Sequence, residues 1–195
     1  MRVDEGPTAD EPPVPVLLDA NVLIDLLKLD ALTAVAKGAG YELLVVDEVE
    51  AEIRWPRQRR ALSAAIAADC VARVSLESLQ SQEAYARLCN DLDSGEAACV
   101  AYAAEHSVVI ASDETNNRFR RTVDEELGQG CVVRLEDLLA AAIAHGTITE
   151  AGIGELVEKL GNAAQTPRDR DDAAHLARVL CRLRSVLEAA GAGGP

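Results

Sequence analysis

Apolar residues along this chain fall into short blocks that alternate with stretches of helical spacing. Val16, Leu17 and Leu18 form an apolar run closed by Asp19, and beyond Asn21 the residues Val22, Leu23, Leu26 and Leu27 recur at the interval of a helix face. The pattern predicts a buried strand that passes directly into a helix. Residues 30–40 then read as a second helix closed by glycine, and 41–46 ("YELLVV") as a strand. A helix opening at Asp47 carries Val49 and Ile53 and ends at Trp55-Pro56, since the residue before proline disfavours helical geometry. Helices follow at 59–70, 77–92, 94–106 and 114–127, with strands at 71–76, 107–112 and 131–135 between them. Past residue 135 three further helical segments occur, the last after a Thr166-Pro167 start signal.

Strands alternating with helices predict an α/β fold, a mainly parallel sheet of about four to five strands flanked by helices. The expected organisation is an acidic, Pro-rich, disordered tail over 1–13, a domain over 14–135, a C-terminal helical extension over 136–190 packed on it, and a frayed end at 191–195. Leu176, Leu180, Leu183 and Leu187 make one apolar stripe, suited to packing on the domain or to a partner surface.

Composition adds constraints. With 195 residues, 49 % hydrophobic but only 3 % aromatic, the core must be built from Ala, Leu, Val and Ile. No apolar stretch reaches membrane-spanning length and no secretory leader is evident, so a cytoplasmic protein without membrane contact is expected. The five scattered cysteines contain no C-x-x-C pair and read as reduced, mostly buried thiols. Net charge is −14, from 19 Lys+Arg against 33 Asp+Glu, which taken alone argues against a nucleic-acid binder. Basic residues nevertheless gather at Arg54, Arg57, Arg59 and Arg60, and again at Arg118, Arg120 and Arg121. The local distribution matters more than the total.

Candidate chemistry lies in the acids. In an open α/β sheet, ligands bind beyond the carboxyl ends of the strands. Asp19 closes the first strand, Asp113 closes 107–112, and Asp93 and Glu96 start the helix between. Glu48 and Glu52 lie one turn apart on one helix face, and helix geometry does not choose between them. Each acid also has a purely structural role open to it. Asp19 and Asp113 are placed as N-caps, while Asp47-x-x-Glu50 and Asp93-x-x-Glu96 fit capping boxes. Caps need not converge, however, whereas a hard cation requires several oxygen ligands in one place. A phosphatase of the haloacid-dehalogenase type would need an aspartate where Asn21 stands, and no G-x-G-x-x-G follows the first strand.

"VLLDANVLIDL", "LLVVDEVEAEI", "LDSGEAACVAYA" and "VVIASDETNNRFRR" occur in the order in which the PIN-domain family carries its motifs. Over roughly residues 14–135 the chain resembles that family of metal-dependent ribonucleases, in the variant with a "GE" helix; similar chains carry helices like 136–161. The resemblance implies a PIN-like three-layer sandwich with Asp19, Glu52, Glu96 and Asp113 as catalytic metal ligands for Mg²⁺ or Mn²⁺, supported by Asn21, Ser112 and Asn117. The third acid is Glu96 where many members carry aspartate. It further implies an endoribonuclease of the VapC toxin kind, with RNA as substrate, a cognate antitoxin as protein partner and a possible homodimer. Arg57, Arg60, Arg118 and Arg121 are candidates for RNA phosphate contacts, or else solvated helix faces paired with local acids. The alternative is a catalytically weak or inactive PIN-like module that binds protein or RNA.

Overall fold

A computed structural model describes residues 12–38 and 40–192. The expected disorder of the tail therefore falls almost wholly outside the described residues, as does most of the expected frayed end. The strands are β1 (Val14–Leu18), β2 (Tyr41–Val46), β3 (Ala72–Val74), β4 (Val109–Ala111) and β5 (Val132–Val133). The helices are α1 (Ala20–Lys28), α2 (Leu32–Gly38), α3 (Asp47–Glu52), α4 (Pro56–Ala67), α5 (Leu79–Leu88), α6 (Ser94–His106), α7 (Asn117–Glu126), α8 (Leu135–Ala144), α9 (Glu150–Ala163) and α10 (Pro167–Ala192).

The strands form one parallel sheet in the order β3-β2-β1-β4-β5, flanked by helices. Central β1 is in register with Leu44 of β2 and Ile110 of β4 through Leu17. Its apolar run is continuous because both faces are covered: Val16, Leu17 and Leu18 are fully buried. The chain builds outward from β1 to β2 and β3, then returns to the other side for β4 and β5. Strand order thus reverses between β1 and β4. Crevices at such a reversal, beyond the carboxyl ends of the strands, are where α/β sheets bind ligands. Asp19 and Ser112 stand there.

Leu176, Val179, Leu180 and Leu183 of α10 are buried in the core, and the helix packs against α8 and α9. Two local expectations are corrected. The Asp47 capping box does not form, because Glu50 is bound by Arg73 of β3 and Asp47 is already the first residue of α3, whose N-cap, Val46, has no side-chain cap to offer. The helix expected from residue 114 begins at Asn117. Glu114 instead accepts from Thr115 N at 2.8 Å and Asn116 N at 2.7 Å, closing a turn, and Asn116 caps the helix. The thiols are free, but Cys89 and Cys181 are exposed rather than buried. Among the described residues no helix is long and apolar enough to cross a membrane.

Candidate active site

Asp19 sits where β1 turns into α1, only 4 % exposed. One carboxylate oxygen accepts from Ala20 N at 2.7 Å, and the other accepts the Ser112 hydroxyl proton at 2.9 Å. Ser112 in turn accepts from Glu114 N at 3.1 Å. The capping function and a site function are therefore compatible in one side chain. Burial pushes the Asp19 carboxyl up to about 6; its two hydrogen bonds oppose this, and the negative charges of Asp93 and Glu114 add to it.

Helix α6 supplies the next group. Asp93 caps it, accepting from Glu96 N at 2.9 Å, and Glu96 reaches back to Asp93 N at 3.4 Å. This is the capping box expected from Asp93-x-x-Glu96. Burial and then the Asp93 charge push Glu96 up to about 7, with Asp19 and Glu114 contributing. Glu52, at the end of α3, is raised by burial and then by Asp93 and Asp19, while a hydrogen bond from Gly95 N opposes the shift. Gly95 is what leaves room for the Glu52 carboxylate against α6: a β-carbon there would collide with Glu52 Oε1. One turn earlier on α3, Glu48 Oε2 is buried without a partner. Cys99, fully enclosed one turn along α6 with its thiol toward the Leu18 carbonyl, is pushed well up by burial and by Asp19, Glu52, Asp93 and Glu48.

Asp113 departs from expectation. It is not drawn into this group. Its Oδ1 accepts from Leu135 N at 3.2 Å and its Oδ2 accepts from Arg182 of α10 at 3.2 Å. Arg182 also holds buried Glu136, with Nε at 2.8 Å. The next residue, Glu114, adds its charge to Asp19 and Glu96, while its Oε1 accepts from Thr115 N and Asn116 N. Asp93 and Glu114 are thus the members that sequence reasoning placed outside the metal set, although Asp93 was visible as a helix start. Of the supporting residues, Ser112 orients Asp19, and Asn21 Oδ1 accepts from Asp113 N at 3.4 Å. Asn117 is exposed in the first turn of α7.

The arginines divide. Arg118 pairs with Asp91 at 3.9 Å and Arg121 with Glu125 at 3.7 Å, as solvated helix faces do. Arg57 and Arg60 are exposed on α4 with no carboxylate within 4.0 Å among the described residues. Also among the described residues, no three His, Cys, Asp or Glu side chains are already drawn together as one cation shell. The donor set still fits a hard divalent cation. It consists wholly of carboxylates, contributed by the ends of β1, α3 and β4 and the start of α6. Burial first, and neighbouring carboxylate charge second, raise Asp19, Glu52 and Glu96 alike, and one buried Glu48 oxygen lacks any partner.

Acids gathered at the strand-order reversal of a parallel α/β sheet define the class. A family model described as a PIN domain matches residues 15–166, and the chain belongs to the PIN-domain family. Membership points to a nuclease-type function with RNA as the bound substrate. The match takes in α8 and α9 and stops before α10. No curated protein and no solved structure matches the chain.

Proposed function

We propose that this chain is a Mg²⁺- or Mn²⁺-dependent endoribonuclease. The observation that carries the reading is that Asp19, buried and held by Ser112 at the carboxyl end of β1, stands at the strand-order reversal, and that Glu52 at the end of α3 and Glu96 at the start of α6 both feel its charge. Asp19, Glu52 and Glu96 would hold the cation, with Glu114 in the place expected of Asp113. A bound divalent cation supplies Lewis-acid activation of water and neutralises charge at the phosphate. Ser112 keeps Asp19 in one orientation, and Gly95 keeps Glu52 within reach of α6. Water adds across the P–O3′ bond, leaving a 5′-phosphate and a 3′-hydroxyl. The resemblance to VapC-type chains supports a toxin role, with an antitoxin protein as its partner.

The test uses labelled RNA with the full chain and Asp19→Asn, each with Mn²⁺ and with chelator. The expected result is Mn²⁺-dependent cleavage that falls by about 100-fold or more in Asp19→Asn, at or beyond the loss typical of outer-shell partners. No cleavage by the full chain under any cation would favour a second reading, an RNA- or protein-binding module. The separation of the carboxylates and the capture of Asp113 by Arg182 are the features that favour that alternative.

A further inference from the structure

The chain contains one tryptophan and leaves it in solvent. Trp55 is 58 % exposed, three residues beyond Glu52, at the turn where α3 gives way to α4. A tryptophan usually brings the largest apolar payload available to a core, and this core is short of aromatics. The turn that carries it is firmly held. Ile53 is fully buried beneath it, Arg59 Nε donates to the Ile53 carbonyl at 3.0 Å, and Pro56 opens α4 at its first position. Three residues of chain span at most about 11 Å, which bounds how far the Trp55 backbone lies from Glu52.

Its surroundings are cationic. Arg54 and Arg57 flank it on the same turn, and the guanidinium of Arg168 lies 5.9 Å from the centre of the indole ring. Arg168 comes from the first turn of α10, outside the family match, and that turn is fixed by reciprocal bonds between Thr166 and Asp169. Among the described residues, Arg54, Arg57, Arg60 and Arg168 have no carboxylate within 4.0 Å, although acids outnumber bases 33 to 19 in the chain. An exposed indole on a fixed turn, with Arg168 over one face and exposed arginines at 54 and 57, matches a nucleotide: a π-face for the base and cations for its phosphates. It does not match an apolar partner surface, which is depleted of charge at its centre.

We propose that Trp55 is a stacking platform for one base of a single-stranded RNA, with Arg54, Arg57 and Arg168 holding the adjoining phosphates. Bases within a duplex are already stacked, so the platform selects unpaired RNA. The inference rests on the ribonuclease reading for the identity of the ligand. It adds a base-binding residue and a role for α10 in holding the substrate.

The sole tryptophan makes this position its own reporter. Intrinsic fluorescence of the full chain is titrated with a single-stranded oligoribonucleotide, and with the same sequence as a duplex, in chelator so that nothing is cut. Anisotropy of the labelled strand is followed in parallel. Quenching by the single strand and not by the duplex is expected. Trp55→Ala should weaken single-strand binding about 5- to 150-fold, the range that base–aromatic stacking carries, while Trp55→Phe retains most of it. Circular dichroism confirms that both variants are folded. Single-strand binding without a change in emission, or undiminished in Trp55→Ala, overturns the platform. Emission that responds to protein concentration and not to RNA overturns it as well, and assigns Trp55 to a protein contact. Cleavage plays no part in this readout. If Asp19→Asn cuts as well as the wild type while quenching persists, the catalytic assignment fails and the platform stands.

Discussion

At Asp19, burial and neighbouring carboxylates act in one direction and two hydrogen bonds in the other. The balance favours the proton: its folded value is about 6 against an ordinary 3.8, and that of Glu96 about 7 against 4.5. Between about pH 4 and pH 7 the folded, cation-free chain therefore retains protons that the unfolded chain has released. Stability rises with pH where the unfolded state binds more protons, and here the folded state binds more. Stability in chelator should accordingly fall as pH rises through that window, with Asp19 contributing about 2–3 kcal/mol. Urea midpoints measured from pH 4 to 8 would show the decline, and Asp19→Asn should flatten it. A wild-type profile that climbs over this window would refute the assignment. Arg182 faces the converse situation. It neutralises two carboxylates, Asp113 and Glu136, the second of which Arg134 also reaches at 3.8 Å.

The meeting of α3 and α6 decides whether Glu52 belongs to the site, and Gly95 is its narrowest point. Alanine at position 95 gains up to about 1 kcal/mol of helix propensity. The atom it would strike is the end of a flexible side chain, Glu52 Oε1, which can swing away at little cost. Gly95→Ala should therefore leave the denaturation midpoint nearly unchanged while lowering Mn²⁺-dependent cleavage roughly 10- to 100-fold, as misplacement of a site group does. Equal loss of stability and activity would instead mean that Gly95 serves packing alone. At this scale the sequence was informative in proportion to how local the signal is. The apolar run of β1, the helical spacing of α1 and the capping box of α6 each lie within a few residues. Asp113 and Glu114 are adjacent in the loop after β4, and either could have turned toward Asp19. Which one is settled by Arg182, 69 residues further on, and by Leu135 N; no local pattern carries that information. Glu114 also binds its own loop, which is why α7 starts later than its helical spacing suggests.

Over the whole molecule, a charge of −14 draws any cation to the surface, so stabilisation by metal must be distinguished from screening. The site and the surface differ in how they respond to pH. Surface carboxylates are ionised well below pH 5 and bind cations alike at pH 5.5 and 7.5. Asp19 and Glu96 are largely protonated at the lower value and must lose those protons to serve as ligands. Mn²⁺ should thus stabilise the chain more at pH 7.5 than at pH 5.5, opposite in sign to the decline in chelator. At a hundred times its dissociation constant the gain is about 2.7 kcal/mol. For a chain of this size that corresponds to roughly 5–10 °C in the melting temperature. Asp19→Asn and Glu52→Gln should each remove most of the pH-dependent part, while sodium chloride at matched ionic strength should reproduce none of it. Thermal melts across the two pH values, with Mn²⁺, chelator and salt as the three arms, separate a cation seated among Asp19, Glu52, Glu96 and Glu114 from one merely attracted to an acidic protein. A gain equal at both pH values and retained in both variants would place the cation on the surface and leave the carboxylates as caps and helix ends.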